Sequence, residues 1–122
     1  MAMILLIEDE PAVRETVRQV LASEGHDVIC ANDGRKGVDL FRKSVFDLVV
    51  TDIIMPEKEG IQTISEIRAI NPRARIIAMS GGGRVGSTDF LSVASKLGAN
   101  DTIAKPFDPE DLIAKVEKLL KA

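Results

Sequence analysis

Cys30 is the chain's one cysteine, so no internal disulfide can form, and a single thiol fits a reducing compartment. His26 is the one histidine, and with no second histidine or cysteine pair there is no zinc-type ligand set; a loop position ahead of a strand is the expectation for it. No apolar run approaches the roughly 20 residues of a membrane span, and no basic leader precedes the short run that begins at Met3. Secretion and membrane insertion are therefore not expected, and a cytoplasmic setting is. A basic stripe is missing too: with a formal charge of -3 and a pI near 5.2, phosphate backbones are poor partners and direct nucleic-acid binding is not expected. The sequence shows no linker, repeat or low-complexity stretch, and 122 residues with 45% hydrophobic content suit a single domain over 1–122. A chain of that size buries roughly two thirds of its unfolded surface.

What the chain does contain is a regular alternation of short apolar runs and helical periodicity. The pattern predicts strands at about 3–7, 27–31, 47–51, 75–79 and 101–104, and helices at about 11–24, 35–44, 60–70, 88–97 and 109–121. The first helix opens at Pro11, carries Val13, Val17, Val20 and Leu21 on one face, and stops at Gly25. The last opens at Pro109 and repeats Leu112, Val116, Leu119 and Leu120, with Lys115, Lys118 and Lys121 expected toward water. Cys30, within an apolar strand, is expected in the core. Strands joined by single helices run parallel through right-handed crossovers, so these βα units make an open, doubly wound α/β sheet covered on both faces. The usual order is 2-1-3-4-5, in which strands 1 and 3 flank the point where the winding reverses and ligands sit outside their carboxyl ends.

Acids stand at both of those ends. Met3-Ile4-Leu5-Leu6-Ile7 exits in Glu8-Asp9-Glu10, and Leu48-Val49-Val50-Thr51 exits in Asp52, before Met55-Pro56 bends the chain away. Carboxylates meeting on one rim repel one another unless a divalent cation sits among them, and hard oxygen ligands suit Mg²⁺. Two later strands also finish in polar residues at this edge, Ile76-Ile77-Ala78-Met79 in Ser80 and Thr102-Ile103-Ala104 in Lys105-Pro106. Taken singly, each residue has a plainer reading: an acid after a strand as helix cap or solvated loop residue, a serine as the start of a turn. Their convergence is what points to chemistry.

This constellation resembles the receiver domain of two-component response regulators, over essentially the whole chain. The matching residues are Glu8-Asp9, Asp52 with Met55-Pro56 and Gly60 after it, Ser80, Gly98-Ala99 and Lys105-Pro106-Phe107. The resemblance implies a flavodoxin-like (βα)5 fold, and a chemotaxis member of the family carries the same 2-1-3-4-5 order, so that order is partly the family's. It implies Asp52 as phosphoacceptor, attacking a phosphoryl group in line and becoming an aspartyl phosphate. Mg²⁺ would be held by Glu8, Asp9, Asp52 and the backbone carbonyl of Ile54. Lys105 would place a point charge on a phosphate oxygen, aimed inward by a cis Lys105–Pro106 bond, and Ser80 would donate its hydroxyl once the phosphate arrives. The protein would be a phosphorylatable switch, not an enzyme, that assists its own phosphorylation and dephosphorylation. Its implied donor is a sensor histidine kinase or a histidine phosphotransfer protein, docking near Pro11, Arg14 and Phe107. An output partner would use the 88–97 helix, the fifth strand and the last helix.

Two features depart from the family's pattern. Thr102 stands where the family usually has the tyrosine or phenylalanine of its switch, so the aromatic half of that relay is missing. The stretch from Ser80 to Lys105 is also longer than usual, through Gly81-Gly82-Gly83-Arg84-Val85-Gly86-Ser87. Gly81, Gly83 and Gly86 spell a GxGxxG between a strand and a helix, and a nucleotide-binding α/β module using this loop is the alternative reading. Against it, the loop follows the fourth strand and not a switch-point strand, and the next strand exits at Lys105 where a ribose-binding acid would be needed. A phosphate-binding P-loop would need a lysine where Ser87-Thr88 follow Gly86, and an aspartyl phosphatase a second aspartate at Ile54.

Overall fold

A computed structural model describes residues 2–53, 59–81, 96, 98–105 and 107–121. Ile54, Met55-Pro56, residues 82–86 of the glycine loop, Pro106 with its expected cis bond and, but for Lys96, the predicted 88–97 helix lie outside the described residues.

The strands β1 (Met3–Ile7), β2 (Asp27–Ala31), β3 (Leu48–Asp52), β4 (Ile76–Gly81) and β5 (Asp101–Lys105) form one sheet in the order β2-β1-β3-β4-β5. Every pairing is parallel. Among the described residues the helices with given bounds are α1 (Pro11–Ser23), α2 (Gly34–Lys43), α3 (Glu59–Ile70) and α4 (Pro109–Lys121). Alternation along the strands divides the core. Leu5, Ile7, Val49, Ile76 and Ala78 pack with Val38 and Phe41 of α2 and Ile64 and Ile67 of α3. Ile4, Leu6, Val50, Ile77 and Met79 pack with Val17 and Leu21 of α1 and Leu112 and Val116 of α4. The central strands β1 and β3 bury both faces, as parallel strands between two helical layers must, whereas the edge strands β2 and β5 are partly exposed.

Local chemistry sets the boundaries. Pro11 begins α1, where its missing N–H costs nothing, and Gly25 at φ 89° ends the turn that follows. Asp33 caps α2 by accepting the N–H of Lys36 at 2.8 Å. β3 starts one residue later than predicted, at Leu48; before it Asp47 donates its N–H to the carbonyl of Met3 at 2.8 Å while its Oδ2 accepts the N–H of Met3 at 2.8 Å. β4 runs past the apolar stretch to Gly81 because Ser80 and Gly81 pair with Ala104 and Lys105, and ladder bonds do not depend on side-chain polarity.

His26 occupies the loop before β2 as predicted, buried at 7% exposure, where its Nδ1 accepts the N–H of Ala2 at 3.1 Å. Two expectations need correction. Cys30 is only half-buried, because β2 is an edge strand. Lys115 folds back so that its Nζ reaches Asp101 Oδ1 at 3.1 Å. Among the described residues no helix is long and apolar enough to cross a membrane.

Candidate functional site

β1 and β3 are neighbours, and Ile7 pairs with Thr51, so Glu8 and Asp52 leave the sheet side by side. Glu8 is 0% exposed and Asp52 4%, whereas Asp9 one residue on is exposed. One carboxylate oxygen from each of the three lies within 4.8 Å of the others. Across β4, Lys105 ends β5 and extends its ammonium between two of these acids, 2.7 Å from Glu8 Oε1 and 3.0 Å from Asp52 Oδ2. The hydroxyl of Ser80 is fully buried and has no hydrogen-bond partner among the described residues. The structure thus brings Glu8, Asp9, Asp52 and Lys105 together and delivers Ser80 on the intervening strand. Ile54 lies outside the described residues, so its carbonyl cannot be placed.

The turn after β1 is held from several sides. The N–H of Glu8 donates to the carbonyl of Ala31 at 3.0 Å, and Glu8 Oε2 accepts the N–H of Glu10 at 3.1 Å. Arg14 Nη1 donates to the backbone carbonyl of Glu8 at 3.0 Å. Sequence reasoning gave Arg14 a role only in docking, because a guanidinium reaching six residues back to a backbone carbonyl leaves no trace in hydrophobic periodicity.

Burial raises the Glu8 carboxyl to about 7, against the hydrogen bond from Lys105 and with help from the charge of Asp52. For Lys105 burial works downward, but the Glu8 hydrogen bond and the charges of Asp52 and Glu8 outweigh it and hold the ammonium above its ordinary value. The ammonium of Lys105 thus offsets part of the negative charge gathered at the rim. Such a donor set fits Mg²⁺: three hard carboxylates close enough to share one ion, around a position where a cationic group is already accommodated. Glu8, Asp9 and Asp52 would hold the ion through hard oxygens of the kind Mg²⁺ prefers.

The sequence profile of the response regulator receiver domain matches residues 4–117. The chain belongs to the response regulator receiver family. Chemotaxis protein CheY of Thermotoga maritima is 34% identical over 119 residues, covering 97% of each chain. Transcriptional regulatory protein ZraR of Escherichia coli is 36% identical over 117 residues, covering 96% of this chain but 26% of ZraR. The receiver thus spans about a quarter of that relative's length. Among solved structures, a response regulator receiver domain protein from Clostridium thermocellum superposes with a TM-score of 0.90 at 28% identity, over 99% of this chain and 95% of that one. NtrX from Brucella abortus superposes at 0.91 with 30% identity, over 98% of this chain and 27% of NtrX. Receivers are phosphorylatable switches of two-component signalling that generally bind Mg²⁺ at an acidic pocket, and this receiver carries the acid cluster at the expected strand ends. The nucleotide-binding alternative at Gly81, Gly83 and Gly86 is not favoured by this membership.

Proposed function

We propose that residues 1–122 act as one receiver unit that takes a phosphoryl group onto Asp52 with the help of Mg²⁺. The donor is a histidine kinase or a histidine phosphotransfer protein. The observation that carries this reading is the ammonium of Lys105 held between Glu8 and Asp52, with Asp9 beside them. A carboxylate oxygen of Asp52 forms the new bond to phosphorus while the bond to the donor's nitrogen or oxygen breaks, the leaving group keeping the electron pair. When bound, Mg²⁺ supplies charge neutralisation on the transferring oxygens; Glu8, Asp9 and Asp52 would hold it, with Ile54 contributing its carbonyl. Lys105 exchanges Glu8 for a phosphoryl oxygen, a short movement for a flexible side chain. Ser80, whose buried hydroxyl has no partner among the described residues, gains one in the phosphoryl oxygens, and this new bond is the first move of the relay.

In this reading the chain's own carboxylates and lysine assist both phosphorylation and the later hydrolysis. The switch works with Thr102, opposite Ala78 on β5, in place of an aromatic, so the output depends on a smaller displacement. The kinase is placed at α1 and the loop before α4, the output partner at β5, α4 and the segment between β4 and β5. We place the reaction in the cytoplasm, on the ground of the single thiol. Incubation with acetyl phosphate should add one phosphoryl group to the intact mass with Mg²⁺ and none with excess chelator. Equal labelling in both would remove the metal from the account.

A further inference from the structure

The acid turn between β1 and α1 is tied at Glu8 and Glu10, while Asp9 between them is not. Asp9 makes no hydrogen bond or ion pair among the described residues, so its direction is set by the backbone alone. Glu10 takes the N-cap position of α1 without any side-chain cap, and Pro11 follows with no N–H to offer. Two side chains tie the turn together. One is Glu8 itself, whose Oε2 accepts the N–H of Glu10, and that carboxylate is among the groups that must turn to a metal. The other is Arg14, one turn into the helix, whose own N–H bonds to the carbonyl of Glu10 at 2.9 Å while its guanidinium holds the carbonyl of Glu8 at 3.0 Å. The Arg14 bond uses a backbone oxygen and no ligand atom. It therefore survives the exchange of partners that a cation imposes on Glu8.

We infer that Arg14 is a positioning residue for the metal: by pinning the Glu8 carbonyl to α1 it aims the Glu8 and Asp9 carboxylates at one ion. The inference rests on the Mg²⁺ site proposed above. Partners that orient ligands in this way typically contribute about tenfold or more to metal affinity. Simple electrostatics predicts the opposite sign, because removing a cation near an acid cluster favours a second cation. The direction of the effect therefore separates the two.

The experiment is a calorimetric Mg²⁺ titration of the full chain, the parent beside Arg14→Ala and Arg14→Lys, with metal-free melting of each. Arg14→Ala should weaken Mg²⁺ about tenfold. Arg14→Lys, which keeps the charge and one donor but not the guanidinium's reach, should fall between it and the parent. At saturating Mg²⁺, labelling of Arg14→Ala by acetyl phosphate should return to the parental rate, which a damaged fold would not allow. Mg²⁺ binding by Arg14→Ala as tight as the parent's or tighter would overturn the inference. Were the alanine variant not to fold, parental affinity in Arg14→Lys would overturn it equally, and weaker binding would support it. A parent that takes up no Mg²⁺ contradicts the site itself, a result distinct from an unaffected variant.

Discussion

Burial favours a proton on Glu8, and a metal would have to displace it. In the fold its carboxyl is raised by burial to about 7, against an ordinary 4.5. Between those values the unfolded chain has released this proton while the fold retains it, so stability falls as pH rises through that window. A shift of this size corresponds to a loss on the order of 1–3 kcal/mol by pH 8, and it should disappear in Glu8→Gln. Denaturant midpoints without metal, at pH 5 and pH 8, measure it. Mg²⁺ reverses the preference, since the ligand must be ionised: its affinity should climb with pH up to about 7, with proton release on binding. At this scale the sequence was informative where polar residues end apolar runs, which is how Glu8, Asp52, Ser80 and Lys105 were found. It was silent on the bond from Arg14 to the Glu8 carbonyl, and on Arg68, whose guanidinium bonds the carbonyls of Pro72, Ala74 and Gly98 and the Asn100 side chain. Bonds from a side chain to a distant backbone have no period to read.

The helices reach the site's supporting strands through close packing that hydrophobic patterning describes only coarsely. Gly37, on the buried face of α2, is an example: a Cβ there would lie 2.3 Å from Ile7 Cδ1 and 2.6 Å from Cγ1. Ile7 is fully buried and directly precedes Glu8, so it has little room to yield. Gly37→Ala should destabilise by about 1–3 kcal/mol through overpacking, and Ile7→Val in the same chain should recover part of that loss by removing Cδ1. Additive losses in equilibrium unfolding would show that the two positions are not in contact. Arg68→Ala should cost about 1–3 kcal/mol, because it strips a shared donor from carbonyls in the turns before β4 and β5. Both residues fall inside correctly predicted helices. Their particular contacts depend on which elements become neighbours, and local pattern does not contain that.

Over the whole molecule, the five-strand order was legible because single helices between apolar runs leave few topologies, and the family's motifs narrowed those further. That order is what turns acids far apart in sequence into one site, with β1 against β3 and Lys105 arriving across β4. Binding is then linked to folding. Mg²⁺ at about 100 times its dissociation constant should stabilise the parent by about 2.7 kcal/mol, and the same concentration should help Asp9→Asn much less. An equal rise in melting temperature for both would place the ion elsewhere.

The proposed rim takes its phosphoryl group on Asp52, and where the group ends up can be read directly. After labelling with acetyl phosphate and Mg²⁺, borohydride reduction converts an aspartyl phosphate to homoserine, which peptide sequencing by mass spectrometry can place. Homoserine is expected at position 52 alone in the parent and nowhere in Asp52→Asn. Homoserine at position 9, hydroxynorvaline at position 8, or a label that persists in Asp52→Asn would refute Asp52 as the phosphoacceptor.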